Sequence, residues 1–410
     1  MWKFIANICK NHFENEFKLN VELKKIYKKD VFKIDLKKIL FIFKNISKKS
    51  FYDDYKFLKT EYMGCEIGRH ALAATYSHLN CHLNSTIKNI YKIYYFVYGV
   101  LLIDYIHNNK AKIKSAFIDH GVYLNGILIN YFSLKNIRFY TNSSPYGIYF
   151  KNSKFKKISF QNLIKVKYPK NKKKFKFNKN RIFKWPWVFN KQYFNIKKND
   201  LENLDYVIYC HAFTDGLLSN GFDGFIRMDD WLKFTIDELL KRNSKILVKI
   251  HPNFHKYNKH FRSSYEIKIF NNIKKKYKNF QNIKFIDYPI LNKKIMNSID
   301  RKKTILITHH GTPILEGVAS GFKIISSEMT RWDRKFKLSN SWSNRKEYKK
   351  ILNKNISELK HGSMNDLKKL SSEIFKDKFG VHGKEYFEKL LKNKPNQKIL
   401  NKIEKSIFSR

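Results

Sequence analysis

The sequence predicts an α/β chain built on open parallel sheets, and three stretches carry that expectation. Thr304 to Thr308 is a short β-branched and apolar run after a charged pair, the pattern of a strand buried on both faces. His309-His310-Gly311 then makes a corner. Ile314, Leu315, Val318 and Ala319 fall on one helical face, Gly321 supplies a left-handed stop, and Lys323 to Ser326 reads as the next strand. A second buried-type strand, Lys245 to Ile250, ends at His251-Pro252, where proline stops the strand and holds His251 at its tip. Lys114 to Thr141 repeats the same logic of strand, polar exit, helix and strand.

Taken in order, residues 1–60 are Lys-rich with irregular apolar spacing and read as surface helices leading into a first domain. In Tyr62 to Tyr76, YMGCEIGRHALAATY, Gly64 and Gly68 bracket Glu66 ahead of a small-residue helix beginning near His70. Glycines there permit close approach of a ligand, with Arg69 or His70 meeting an anion, and they serve equally in a plain loop before a packed helix. Ile93 to Ile106 is the most apolar stretch, too short to span a bilayer and read as a core helix. Ala116 to Ile118 is a strand and Asp119-His120-Gly121 its exit. Val122 to Ser133 is a helix with Leu124, Ile127, Leu128 and Tyr131 on one face, and Ile137 to Thr141 a strand. Asp119 suits two roles, capping that helix or taking a proton.

From Lys151 to Asn199 Lys, Asn and Phe dominate, the composition of a linker or inserted loop, either solvated or holding a polyanionic or lipid-linked partner. Asp205 to Cys210 opens a second domain as a buried strand, with His211, Thr214, Asp215 and Gly216 at its exit. A helix over Trp231 to Arg242 is expected, capped by Asp230, with Arg227 either on the surface or neutralising a phosphate. A helix from Ser264 to Lys278, a strand from Ile283 to Ile286, Tyr288 beyond it, and a short helix from Lys293 to Ser298 follow. Terminal helices begin at Trp342, and residues 343–410 hold no legible motif.

The chemistry concentrates after Thr308. A helix capped by Thr312, with Pro313 at its first position, aims unpaired amides and a positive dipole end beyond the strand's carboxyl edge, where open α/β sheets bind ligands. Such a corner suits a phosphate. His309 or His310 can donate to a phosphate oxygen, and Glu316, a turn further in, can accept from ribose hydroxyls. The same Gly/Thr corner also serves merely to start a helix.

The order strand-His251-Pro252, then strand-His310-Gly311-Thr312-x-x-x-Glu316-x-x-x-x-Gly321, resembles the donor half of GT-B glycosyltransferases, in particular bacterial capsule and surface-polysaccharide enzymes that include Kdo transferases and polysialyltransferases. The resemblance extends to Tyr62, Gly64, Ile67 and Gly68, to D-H-G-x-Y-x-x-G from Asp119 to Gly126, and to Asp215 followed by Phe225 and Trp231. It implies two Rossmann-like domains facing a cleft, the C-terminal one holding a nucleotide-activated sugar through His251, Pro252, His310, Gly311, Thr312 and Glu316, with Tyr288 a candidate to stack on the base. It also implies transfer of the sugar to a surface or capsular polysaccharide, on a growing or lipid-linked acceptor. Inversion needs a base opposite the leaving phosphate: Asp119 or His120, with Glu66 in reserve and Asp215 contacting the acceptor, orienting a base or serving as one. The expected division is 1–150 for the acceptor side, 151–199 for the linker or insertion, 200–342 for the donor side and 343–410 for a helical extension.

Composition bounds the alternatives. Lys and Arg number 83 against 34 Asp and Glu, a net charge of +49 that by itself suggests a polyanion or anionic membrane surface. The excess is mostly Lys spread among Asn and Ile, whereas a specific nucleic-acid reader concentrates Arg and aromatics in one module, so no specific nucleic-acid partner is expected and attraction to anionic lipid stays open. Met1 to Cys9 lacks the apolar core of a signal peptide, and four cysteines without a CxxC pair form no disulfide framework, so a cytoplasmic enzyme, peripheral at the inner face of the membrane, is expected. Cys65, His70, His78, Cys81 and His82 fit no zinc module, and no metal or cofactor is expected beyond the nucleotide sugar as substrate. A nucleotide-sugar epimerase of the same fold, or a basic nucleic-acid or membrane adaptor, are the alternatives.

Overall fold

The structure is a computed structural model. It describes residues 51–79, 85–109, 115–119, 122–142, 148–150, 164–165, 177–182, 201–216, 218, 220–251, 263–330 and 336–375. The chain divides into two compact units, one within Met1–Thr141 and Phe150–Ile158, the other within Asn142–Tyr149 and Ser159–Arg410.

The first unit packs helices α1 (Asp54–Leu58), α2 (Ile67–Leu79), α3 (Ser85–Asn109) and α4 (Leu124–Leu134), with β1 (Ser115–Asp119) beside β2 (Arg138–Asn142). Asp53 caps α1, its carboxylate accepting from the Tyr55 amide at 2.9 Å. The apolar run at Ile93–Ile106 is the middle of α3, whose Val100, Leu102 and Ile103 are buried. Gly99 is the contact point there: a Cβ would stand 2.8 Å from both Ile67 and Ile127, so its lack of a side chain lets α3 approach α2 and α4. A buried cation is tied into the same unit. Lys92 reaches Asp54 at 2.7 Å and the Phe51 carbonyl; burial raises the Asp54 carboxyl, but Lys92, Tyr76 and Lys88 together hold it below its usual range. Among the described residues no helix is long and apolar enough to cross a membrane.

The short elements β3 (Ile148–Phe150), β4 (Ile164–Lys165) and α5 (Lys179–Ile182) lead to the main sheet. In it β5 (Tyr206–Tyr209), β6 (Ile246–Lys249), β7 (Ile283–Ile286), β8 (Ile305–Thr308), β9 (Lys323–Ser327) and β10 (Asn340–Trp342) pair in the order β10-β9-β8-β5-β6-β7, all parallel. Counted from the first strand of this sheet, that is 3-2-1-4-5-6, the doubly wound arrangement whose switch point lies between β5 and β8. The α/β class read from the sequence is thus the one the chain adopts. The four central strands β5, β6, β8 and β9 are buried almost throughout, which is why they read as unbroken apolar runs rather than alternating ones.

Crossovers α6 (Met228–Leu240), α7 (Ser263–Lys276), α8 (Asn292–Ser298) and α9 (Pro313–Ser320) complete the layers, and α10 (Arg345–Leu352) and α11 (Met364–Phe375) follow β10. Helix α9 buries Ile314, Leu315 and Val318, contributing about 1.5–3 kcal/mol each. Its Gly317 lies so close to the sheet that a Cβ would meet Ile324 at 2.8 Å and Leu306 at 3.0 Å. Gly321 ends the helix at φ 82°, as its position in the sequence implies.

Three expectations change. Trp342 closes a strand instead of starting a helix, because Asn340, Ser341 and Trp342 pair with Ile325, Ser326 and Ser327. Asp230 does not cap α6: the helix begins at Met228 and the capping position is Arg227, which leaves Asp230 inside the first turn. Thr312 precedes α9 as foreseen, yet its side chain makes no capping bond, since its own backbone is already helical at φ −62° and ψ −25°.

Candidate functional site at the switch point

The register of the central strands sets the site. Tyr209 of β5 is level with Lys249 of β6 and with Thr308 of β8, so the chain leaves three adjacent strands from one row. Two residues past that row each strand carries a histidine: His211, His251 and His310. The rings converge. His211 lies 3.7 Å from His310 and 5.6 Å from His251, centroid to centroid. His251 and His310 were expected to share one pocket; the central strand adds His211, which links them. Around these rings the backbone is bare. Gly311 sits at φ 118° with its missing Cβ position 3.7 Å from His211, and Gly216 at φ 69° with its own 3.4 Å from His310 Nε2.

Helix α9 starts directly behind. Ile314 donates to the Gly311 carbonyl at 3.3 Å and Glu316 to the Thr312 carbonyl at 3.0 Å, so the helix's positive end opens beside the imidazoles. Glu316 is buried within the helix rather than projecting from it. Its Oε2 accepts from Asn292 Nδ2 at 2.6 Å, and burial pushes its carboxyl up to about 7 against the lowering effects of Asn292 and Lys249. Lys249 is itself buried, its ammonium 5.9 Å from the Tyr209 ring centre.

Below this half-buried row lies a second layer. His211, His251 and His310 are each half-buried, whereas His309, one residue before His310, turns inward and is buried, with Trp231 and Trp342 edge-on to its ring at 5.5 Å and 5.8 Å. Its Nε2 is 2.9 Å from Asp223 Oδ2 and its Nδ1 is 2.8 Å from His310 Nδ1. Ser327 donates to the same Asp223 oxygen, and the Phe225 amide donates to the other at 3.4 Å. Burial alone would raise the Asp223 carboxyl, but the imidazole and these donors hold it below the usual range. The loop after β5 is pinned separately. Glu266 of α7 accepts from the Phe213 and Thr214 amides at 2.7 and 2.8 Å and from the Thr214 hydroxyl at 2.6 Å. Its desolvation outweighs these donors and, with the nearby Asp215 charge, brings the carboxyl to about 7.

The other candidates fall as follows. Asp215 is exposed on the pinned loop. Tyr288 is half-buried and packs against the main apolar cluster. Arg227 pairs with Asp229, donating from Nε at 2.8 Å. Pro252 and His120 lie outside the described residues, and Asp119 ends β1 with its side chain outside them. Glu66 is in the first unit, paired with Arg69 at 2.9 Å. The buried Arg69 also donates to His70 Nε2 at 3.1 Å, and Asn130 does so at 2.8 Å. Burial, reinforced by the Arg69 charge, holds His70 well below its ordinary range and therefore neutral. Gly68 serves packing: a Cβ there would come within 1.9 Å of the Phe57 carbonyl oxygen. Of the proposed zinc set, Cys65 is buried with its thiol pushed up to about 12, and Cys81 and His82 lie outside the described residues. Among the described residues no group of His, Cys, Asp and Glu is arranged to hold a metal ion.

Sequence reasoning did not single out Asp223, Glu266 or Lys249. Asp223 stands in the glycine-rich GFDG loop and Glu266 in a Lys-rich helix, where neither breaks a pattern. For His211 a signal existed: strand, one residue, then His recurs at positions 211, 251 and 310.

No protein-family model matches the sequence, and no curated protein matches it. Solved structures overlap it in part. One is the UDP-GlcNAc 2-epimerase of Methanocaldococcus jannaschii in complex with UDP-GlcNAc and UDP, 16% identical over 42% of this chain and 45% of that one, with a TM-score of 0.29. Another is a beta Kdo 2,4 transferase of Thermosulfurimonas dismutans, 13% identical over 41% of this chain and 44% of that one, with a TM-score of 0.26. The chain thus overlaps less than half of either protein, and neither overlap by itself assigns it an activity.

Proposed function

We propose that this chain is a glycosyltransferase that moves a sugar from a nucleotide-activated donor to a surface or capsular polysaccharide acceptor, growing or lipid-linked. The observation that carries this is the meeting of His211, His251 and His310 at the switch point of a 3-2-1-4-5-6 sheet, beside the opening of α9. Imidazoles and helix amides there supply donors to an anionic leaving group, and they act most strongly on charge that develops as the sugar–phosphate bond breaks. His251, His310, Gly311 and Thr312 are assigned to the phosphate, and Glu316 and Tyr288 to the nucleoside. The acceptor's proton passes to Asp119 or His120 of the first unit, with Glu66 and Asp215 as further bases. The motif order His251-Pro252 then His310-Gly311-Thr312-x-x-x-Glu316 supports the capsule-type assignment.

The test is a thermal-shift panel of CMP, CDP, UDP and GDP with wild-type protein and His211→Ala. One nucleotide is expected to raise Tm in the wild type alone, because a ligand that binds only the folded state stabilises it by mass action. No shift with any of the four, or an equal shift in the variant, refutes phosphate binding at this row. Incubating the chain with the matching nucleotide sugar alone then separates transfer from epimerisation. Isomerised sugar, with no sugar appearing on a glycan when one is added, would replace the transferase with the epimerase.

A further inference from the structure

Running inward from the half-buried histidine row, His310, His309 and Asp223 form a chain of contacts that the phosphate-binding role does not require. We infer that Asp223 and His309 are positioning residues that fix the tautomer of His310, keeping its proton on Nδ1 and its lone pair on Nε2, the nitrogen turned toward the Gly216 loop. This deepens the proposed function, since it assigns His310 the role of proton acceptor at the nucleotide site.

The inference follows from donor counting. Asp223 is an ionised carboxylate and can only accept, so His309 Nε2 at 2.9 Å must carry a hydrogen. With His309 neutral, its single N–H is the one that meets Asp223, which leaves Nδ1 as an acceptor. His310 Nδ1, 2.8 Å away, is then the donor of that bond, and the lone pair of His310 is forced to Nε2. The missing Cβ position of Gly216 is 3.4 Å from that nitrogen. Burial of Asp223 and His309, with Trp231 and Trp342 edge-on to the His309 ring, keeps competing water away from the inner bonds. The other titratable groups near His310 are His211, tilted 35° against its ring at 3.7 Å, His251 beyond, and Asp215 on the same loop as Gly216. When an anion arrives, Nε2 takes a proton from solvent, keeps it, and donates a hydrogen bond to the ligand. The imidazolium keeps its bond to His309, and the Asp223 charge is felt through it.

Asp223→Asn inverts the relay without changing its shape. The Phe225 amide, which can only donate, orients the new side-chain carbonyl toward itself, so the NH2 group faces Ser327 and His309. His309 must then accept at Nε2 and donate from Nδ1, and His310 must accept at Nδ1 and carry its hydrogen on Nε2. An aspartate-to-asparagine change that imposes the wrong tautomer on a histidine is established in the Ser-His-Asp hydrolases.

The experiment is 15N NMR of the full chain with 15N-labelled histidine, without nucleotide, the His310 signals being identified by their loss in His310→Gln. The expected result is an Nδ1–H tautomer of His310 in the wild type and an Nε2–H tautomer in Asp223→Asn. An Nε2–H tautomer in the wild type overturns the inference even if the variant fails to fold, and so does an unchanged tautomer in a folded variant. Because no nucleotide is added, the outcome is independent of whether the chain binds one, and the thermal-shift panel judges that separately.

Discussion

Glu316 offers the sharpest test of how this site is built, through Glu316→Gln. Its carboxyl is buried and pushed up to about 7 from an ordinary 4.5, so the folded state holds a proton that the unfolded state has released. A raised carboxyl contributes stability that is fully present below pH 4.5 and is lost as pH rises through 7. The difference of about 2.5 units, at 1.36 kcal/mol each, is a loss of about 3 kcal/mol in the wild type between pH 4.5 and 8. The amide of the variant cannot ionise, and its carbonyl can still accept from Asn292 Nδ2, which stands 2.6 Å from the wild-type carboxylate oxygen. Urea unfolding at pH 5, 6, 7 and 8 should therefore show Glu316→Gln gaining on the wild type as pH rises, by about 3 kcal/mol at the top of the range. Glu266 slopes in the same direction and Asp223 in the opposite one, but both are common to the two proteins and cancel in the difference. A gap that stays constant from pH 5 to 8 would refute the reasoning, because Glu316 would then be ionised and satisfied in the fold.

Three further substitutions probe the packing around the two units. Gly68→Ala drives a Cβ to 1.9 Å from a backbone oxygen that cannot rotate away, and should cost about 1–3 kcal/mol or more, read as a lowered Tm. Thr235→Val removes the hydroxyl that meets Tyr348 at 2.6 Å and donates to the Trp231 carbonyl at 2.8 Å; leaving the buried phenol short of a partner should cost about 1–3 kcal/mol in urea unfolding. Gly311→Ala forces an L-residue to φ 118°, at about 1–3 kcal/mol. It should abolish the nucleotide-induced Tm shift, and a retained shift would show that the corner is not part of the binding surface.

Much of the main sheet was legible because its strands are buried on both faces. Ile305–Thr308, Ile246–Lys249 and Tyr206–Tyr209 are continuous apolar runs bounded by charge or proline, and Pro313 and Gly321 mark the two ends of one helix through the backbone angles they favour. Where several local choices were equivalent, the sequence misled. Asp230 and Thr312 both have good capping side chains, but backbone geometry placed one inside its helix and left the other without a capping bond. For Tyr288 the sequence offered both stacking and packing, packing the commoner, and the ring lies against the apolar cluster.

What the amino-acid order fixed on its own was periodic and local: which segments are strands, where the corner after Thr308 falls, and that imidazoles stand at strand ends. Strand order and register were decided only by tertiary pairing, because three parallel strands with nearly identical apolar character carry no mark of which lies between the others. That pairing placed His211 between His251 and His310. It also brought Asp223 to His309 across 86 residues of sequence, a contact made by burial and hydrogen bonding with no spacing rule to announce it.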